Sequence, residues 1–320
     1  MNQHNKITGI SFIGLLQIGC LGVLLGSLAP LLAPWFWPVD LLASFRVQYL
    51  LLSLVFAVVF VLKKQRVYAS MALVAVLVNA VWVLPLYSHA INGSAHAAGP
   101  APANRLKLFY ANVYSGNHQH DPLIQQVQNE NADVVLLQEV NARWLTALDV
   151  IKASYPHRIE IPREDNFGIA VFSRLPFESQ QIHDWTLLDI PSIEFEIEQG
   201  GQMLRLITTH PPPPVNRIYY DAAQQQFQAI AERLNNKQQA SILIGDLNTT
   251  MWSKHYPILT TDTGLVNASQ GFMPTWPTNL LPLLIPIDHC LVSRHFEVLD
   301  IRTGAGFGSD HWPLVVDLGF

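Results

Sequence analysis

Hydrophobic positions follow two regimes along this chain. In the first hundred residues they form long unbroken runs. Ile7 to Val39 contains no charged residue, and its core, Ile10 to Leu32, is long enough as a helix to cross a hydrocarbon layer of about 30 Å. Val47 to Leu62 is a second uncharged run of 16 residues, which reaches spanning length if Phe45 joins it and Arg46 snorkels. Val67 to Tyr87 is a third, of 21 residues. One such run at an N-terminus also reads as a cleaved signal peptide. Three in succession, with charges only between them, read as three membrane spans rather than as a leader or as buried soluble helices. Gly22-Val23-Leu24-Leu25-Gly26 is a small-xxx-small pattern that predicts close packing of the first helix on its neighbours. Ser88 to Asn104 is Ala-, Gly-, Pro-, Ser- and Asn-rich, without charge or apolar period, and reads as a tether.

From Arg105 onward the apolar runs shorten to strand length. Strands are predicted at Arg105 to Val113, Asp133 to Glu139, Phe167 to Ser173, Ile193 to Ile197, Met203 to Thr208, Ser241 to Asp246, Ile287 to Val292 and Leu314 to Leu318. Strict alternation in Ile193 to Ile197 predicts a strand with one wet face. Helices are predicted at Asp121 to Asn131, with Pro122 in its first turn, at Asn141 to Ser154 and at Asp221 to Leu234. Strand, helix, strand is the opening order. Pro211 to Pro214 interrupts both kinds of element.

These strands repeatedly end in, or lead from, one polar residue: Asn112, Glu139, His210, Asp246 with Asn248, Asp288, and Asp310 with His311. Singly, each is a turn, a cap or a satisfied core residue. Together they place many polar groups at strand ends, where burial costs several kcal/mol unless they satisfy one another or bind something. If the backbone stays extended through Gly245-Asp246-Leu247-Asn248, Asp246 and Asn248 point to the same side.

Composition sharpens the division. Half the residues are hydrophobic and only 13% are charged, against about 25% in ordinary soluble domains. Residues 1–103 carry only Lys6, Asp40, Arg46, Lys63, Lys64 and Arg66. The remainder carries 14 Lys and Arg against 23 Asp and Glu, a net charge of −9. Cationic loops stay cytoplasmic, so Lys6 and Lys63-Lys64-Gln65-Arg66 place the Pro34–Ser44 loop and everything after Tyr87 outside. Trp35, Trp37 and Tyr87 fall where interfacial aromatic residues belong. The implied location is a bacterial-type inner membrane, with the second part on its periplasmic side. Cys20 and Cys290 lie in different parts, so no disulfide framework is implied.

Asn112-Val113, Gln138-Glu139, Thr209-His210, Gly245-Asp246-Leu247-Asn248, Ile287-Asp288 and Ser309-Asp310-His311, with the strand motif Gly168 to Pro176, resemble the endonuclease/exonuclease/phosphatase superfamily in order and spacing. The resemblance covers residues 105–320. It implies an α/β fold, a four-layer αββα sandwich of two mixed sheets with the site at one sheet edge. The organisation expected is a membrane domain over 1–88, a linker over 89–104 and a catalytic domain over 105–320. It also implies roles. Glu139 holds a divalent metal, supported by Asn112 and Asp310. Asp246 orients or deprotonates the attacking water. Asn112, Asn248, His210 and His311 contact the phosphate, and Asp288 orients His311. Hard oxygen ligands without a cysteine cluster suit Mg²⁺, with Mn²⁺ as an alternative. The chain departs from the family pattern at His289 after Asp288, read as a bystander, and in the stiff proline run after His210. A carboxylate partner for His210 is not identifiable, Glu160, Glu164 and Asp165 being the choices.

The implied activity is metal-assisted hydrolysis of a phosphoester by in-line attack of water, on nucleic acid, phospholipid or a small phosphoester. A catalytically silent tethered binding module is the competing class. A net −9 domain without a basic run is poorly suited to gripping long duplex DNA. The lipid bilayer is the partner of residues 7–88. Trp252, Phe272, Trp276 and Leu280 to Ile287 form an apolar rim for lipid or, alternatively, ordinary core and loop. The topology has a direct test: a reporter fused after Phe320 is expected to read as extracytoplasmic, and a cytoplasmic signal contradicts three spans.

Overall fold

The computed structural model describes residues 11–87 and 102–320. The expected linker lies almost wholly outside the described residues, as do Lys6 and the start of the first apolar run. The chain divides into two compact units, Met1–Pro85 and Leu86–Phe320.

The first unit contains α1 (Phe12–Leu28), α2 (Arg46–Leu62) and α3 (Arg66–Val83). With their flanking 3₁₀ turns they form three segments, Phe12–Leu32, Trp37–Leu62 and Arg66–Tyr87, each long and apolar enough to cross a membrane. Leu, Val and Phe side chains cover their outer faces, while Cys20, Ala57, Phe60, Ala69 and Ala72 pack inside. Arg46 does not snorkel. It is buried and donates to the Ser27 carbonyl (2.7 Å) and Asn79 Oδ1 (3.3 Å), and Asn79 Nδ2 donates to Ser27 Oγ (2.7 Å). One polar cluster therefore joins all three helices, because a guanidinium inside the bundle must find acceptors there. The small-residue contacts also differ from expectation. Gly26 faces the Tyr49 ring and Gly19 the Phe56 ring, whereas Gly22 faces open space.

Among the described residues, the second unit holds twelve strands. β1 (Arg105–Asn112), β2 (Val134–Gln138), β3 (His157–Ile161), β4 (Ile169–Ser173), β11 (Glu297–Thr303) and β12 (Leu314–Gly319) form one sheet in the order β11-β12-β1-β2-β4-β3. β5 (Phe177–Asp184), β6 (Pro191–Gln199), β7 (Gln202–Thr209), β8 (Ala240–Asp246), β9 (Val266–Asn267) and β10 (Asp288–Val292) form the other, in the order β5-β6-β7-β8-β10-β9. Each sheet is antiparallel except for one central parallel pair, β1 with β2 and β7 with β8. A parallel pair needs a crossover. Helices α4 (His120–Glu130) and α6 (Arg217–Arg233) supply the two crossovers. Short helices α5 (Ala142–Ala147) and α7 (Tyr256–Thr260) complete the unit.

Strands buried on both faces read as continuous apolar runs, and β1 shows why. Leu106, Leu108 and Tyr110 meet Phe195, Leu206, Ile242 and Ile244 between the sheets, while Phe109 and Val113 pack outward with Leu123, Val127 and Trp144. On the far side Ile207 and Leu243 pack under Phe227 and Ile230 of α6. The result is the four-layer sandwich.

Two expectations change. The helix expected over 141–154 stops at Ala147 and tightens into a 3₁₀ turn, Leu148–Ile151, whose buried residues Leu148 and Ile151 stand three apart, the 3₁₀ period. The outward face of β6 is wet only toward its end, where Glu196 is half-buried and Glu198 exposed. Glu194 is buried on that face beneath Arg233 of α6 (2.9 Å), with His183 at 2.7 Å and Arg205 at 3.3 Å. The Arg46 cluster yields a prediction. Asn79→Leu removes an acceptor from a buried cation, so full-chain thermal unfolding in detergent should show a loss of about 1–3 kcal/mol. An unchanged melt contradicts the cluster.

Candidate active site

The carboxyl ends of β1, β2, β7 and β8 converge at one edge of the sandwich, and a side chain crossing between the sheets fixes them there. Gln138, at the end of β2, is fully buried. Its Nε2 donates to the Thr209 carbonyl (2.7 Å) in the opposite sheet, and its Oε1 accepts from the Asp246 backbone N–H (2.9 Å). Gly245 makes the crossing feasible, since a Cβ there would sit 2.1 Å from the Thr209 carbonyl oxygen and 2.7 Å from Gln138 Nε2. The Tyr110 hydroxyl lies 2.8 Å from both Gln138 Oε1 and Asp288 Oδ1. Burial first, then the Asp288 and Asp246 charges, push its pKa well up, so it is a neutral donor.

Asp288 connects to His311. Its Oδ2 accepts from His311 Nδ1 at 2.8 Å, which turns the other ring nitrogen, Nε2, to within 3.6 Å of Asp246 Oδ2. Burial alone would lower the His311 pKa, but the Asp288 and Asp246 carboxylates overcome it and hold the pKa at about 10. Ser309 seats this loop: its Oγ donates to the Asn112 carbonyl (2.8 Å) and accepts from the His311 N–H (3.1 Å).

Asp246 sits at the centre, 2% exposed. Oδ1 accepts from the Asn248 N–H (2.8 Å); Oδ2 faces Asn112 Nδ2 (3.2 Å) and His210 Nε2 (3.5 Å). Burial opposes its charge, yet His311 and His210 prevail and lower its pKa. The backbone is not extended as far as Asn248, which adopts φ +49°; the segment is an Asx turn, and Asn248 Nδ2 donates to the Pro211 carbonyl (3.0 Å). Turn and site are thus one feature.

Glu139 follows β2 in a left-handed conformation, φ +60°, uncommon for a residue with a side chain. Its Oε1 accepts from Asn112 Nδ2 (3.0 Å) and its Oε2 from the Ser115 N–H (3.2 Å). Burial pushes its pKa up, against the opposing pull of His210 and Asn112. The His210 pKa is raised: burial lowers it, and the Asp246 and Glu139 charges more than compensate. The carboxylates facing His210 are therefore Asp246 and Glu139. Glu160, Glu164 and Asp165 are engaged elsewhere, with Lys152 and Arg158, the Ala142 N–H, and Arg163 respectively. Phe167 packs on the His210 ring, centroids 5.5 Å apart. Asp310 accepts from Trp276 Nε1 at 2.9 Å. His289 stands apart, with Nε2 2.9 Å from the Thr249 carbonyl, and burial lowers its pKa, as suits a neutral structural residue.

Every residue expected in the site thus lies at this edge. Tyr110, Ser115, Ser309 and Trp276 join it as supporting donors. Of these, Ser309 stands inside a quoted motif, while Tyr110 reads in sequence as one more apolar strand residue. Two acidic groupings could hold a cation. Ligand atoms of Asp246, Asp288 and His311 lie within 4.8 Å of one another, but both Asp288 oxygens already accept hydrogen bonds, from Tyr110 and His311. Both oxygens of Glu139 likewise accept hydrogen bonds, from Asn112 Nδ2 and the Ser115 N–H, and Asn112 Oδ1 accepts from the Tyr114 N–H; Glu139 and Asn112 are the second grouping.

A two-sheet αββα sandwich with carboxylates, amides and histidines gathered at one strand edge defines a hydrolase of phosphoester bonds. A model of the Endonuclease/Exonuclease/phosphatase family matches residues 109–311, and the chain belongs to that family. No curated protein sequence matches it. Among solved structures, D. rerio TDP2 complexed with single strand DNA product is 16% identical with a TM-score of 0.57, covering 68% of this chain and 100% of that one. An endonuclease/exonuclease/phosphatase from Beutenbergia cavernae is 17% identical with a TM-score of 0.58, over 68% and 72% of the two chains. A family protein from Bacteroides thetaiotaomicron is 20% identical with a TM-score of 0.54, over 68% and 98%.

The His311 proton carries a pH prediction. Its pKa is about 10 folded against 6.5 in the unfolded chain. Its stabilisation is complete below pH 6.5, where both states hold the proton. It declines above that and is lost as pH rises through 10, because unfolding then releases the proton. The melting temperature should fall from pH 7 to pH 10 more steeply in the native protein than in His311→Gln; parallel slopes contradict the assignment.

Proposed function

We propose that this chain is a membrane-anchored, Mg²⁺-dependent phosphoesterase. Residues 1–88 are its membrane domain, 89–104 its linker and 105–320 its catalytic domain on the periplasmic side of an inner membrane. The charge balance of the site carries the reading. Glu139, Asp246, Asp288 and Asp310 offer four carboxylates, and His210 and His311 supply two positive charges when protonated. Two negative charges remain at a mostly buried site, the deficit one divalent cation fills. Burial pushes the Glu139 pKa up even against the His210 charge, a penalty that a bound cation would offset, and the hard oxygens of Glu139 and Asn112, supported by Asp310, suit Mg²⁺. When bound there, the ion supplies positive charge to the phosphoryl oxygens.

The side chains account for the rest. Asp246, its pKa lowered by His311 and His210, orients the attacking water and receives its proton as the bond to phosphorus forms. His311 Nε2–H, aimed by Asp288, donates to a phosphoryl oxygen as charge builds on it. Asn248 and Asn112 position the phosphate, and His210 is its second cationic donor. Asn248 is oriented by Pro211, so the proline run that stiffens this segment also fixes a phosphate contact.

The test is Mg²⁺ titration of activity on an aryl phosphodiester, with a thermal melt for each variant. Glu139→Gln should weaken metal affinity and lower turnover by orders of magnitude, with partial rescue by excess Mg²⁺. Asp246→Asn should lose turnover while keeping metal binding. His311→Ala should lose about 10²–10³ in rate. All three should stay folded. Native metal dependence in Glu139→Gln, or losses explained by unfolding alone, overturns these roles.

A further inference from the structure

The mouth of the site is apolar on one side. In the second sheet, loops that share the edge of the β7 and β8 carboxyl ends are those between β5 and β6, between β7 and α6, and before β10. Leu187 in the first is fully exposed. Val215 and Ile218 at the second, and Leu280, Leu281 and Leu283 in the third, are between 44% and 70% exposed. Each loop is fastened to the catalytic residues. Asp189 pairs with Arg163 (2.8 Å), and Phe167 of that same loop packs on His210. Pro211 is held by Asn248. Thr278 donates its N–H to the Asp310 carbonyl (2.9 Å), and its hydroxyl donates to the Ser309 carbonyl (3.0 Å). The apolar side chains therefore stand at fixed positions around the entrance. Trp252 and Ile287, by contrast, are buried and belong to the core.

An apolar rim on a water-facing domain needs a partner, and this chain carries its own membrane spans. Pro102 and Asn104 are seated on the last strand, where Asn104 exchanges backbone bonds with Phe320 (3.1 and 3.3 Å). Residues 88–101 number 14, and a chain of that length reaches about 46–50 Å when extended. Asn104 precedes β1 at the end of the sandwich away from the site, and the 8 residues of β1 measure about 26 Å. That length exceeds this height. Small soluble phosphoesters make no use of such a rim, and the net charge of −9 disfavours a polyanion.

We infer that the substrate is a glycerophospholipid of the anchoring membrane, engaged by inserting the Leu187, Val215/Ile218 and Leu280–Leu283 rim into the interface. The inference rests on the phosphoesterase reading above. Water adds to the lipid phosphorus and gives up a proton to Asp246. One P–O ester bond breaks, and its oxygen leaves as an alcohol after taking a proton from solvent, to which Asp246 then returns the proton it received, so that one water is consumed.

The full chain, reconstituted into phosphatidylethanolamine–phosphatidylglycerol vesicles with Mg²⁺, should convert vesicle lipid, read by mass spectrometry of the products. Leu187→Asp combined with Leu281→Asp should lower lipid turnover at least about tenfold, since partitioning of a rim into an interface scales with buried apolar area. Turnover of bis(p-nitrophenyl) phosphate should stay within about twofold, which also shows that the variant is folded. Deleting eight residues within 88–101 leaves six, about 20–22 Å of reach, and should have the same split effect. The inference is overturned by lipid turnover indifferent to both changes, by a single-stranded oligonucleotide cleaved in preference to lipid, or by inert lipid alongside a cleaved aryl diester. An aryl diester that is also inert marks failure of the underlying phosphoesterase reading instead.

Discussion

Gln138 crosses from one sheet to the other at the point where four strands end, and the arrangement of the site depends on that crossing. Its amide satisfies a carbonyl of β7 and the last N–H of β8, while its oxygen also meets Tyr110. A buried amide left without such partners costs about 1–3 kcal/mol, so the two sheets are held in one relative register where the chemistry occurs. Gly245 leaves the space, and the next residue is Asp246. Site geometry is thereby inherited from inter-sheet packing together with the turns that follow the strands.

Electrostatics follow from this placement. Carboxylates that would repel in water are brought together out of it, and each is given a partner: Tyr110 and His311 for Asp288, Asn248 and Asn112 for Asp246, Ser115 for Glu139. His311, with a pKa of about 10, keeps its charge at neutral pH beside an Asp246 made more acidic, and His210 becomes more basic. Glu139 differs, with burial raising its pKa. Its backbone is left-handed, its hydrogen-bond donors Asn112 and Ser115 are neutral, and the His210 charge pulls against the burial.

The eight interior strands were all legible in the sequence, most as apolar runs because both faces are buried, and β6 by its alternation of Ile and Phe with Glu. The four that were not are β3, β5, β9 and β11, the edges of the two sheets. Edge strands carry charge and polarity on their open sides, as in Glu178-Ser179-Gln180-Gln181 of β5, and leave no periodic signal. Among site residues, polar groups ending apolar runs were visible one by one. The role of Tyr110 was not, since its partner Asp288 lies 178 residues away. Arg46 escaped for the same reason: its acceptor Asn79 is 33 residues on, in another helix. What sequence reading misses here is pairing between distant polar atoms.

The central claim is that one divalent ion completes the charge of this edge through Glu139. Direct binding of Mn²⁺, followed by the loss of its free-ion electron paramagnetic resonance signal, tests it without reference to any substrate. One tight ion per chain is predicted at neutral pH, retained in Asp288→Asn and lost in Glu139→Gln. Binding unaffected by Glu139→Gln but abolished by Asp288→Asn would place the ion in the other acidic grouping and contradict the account.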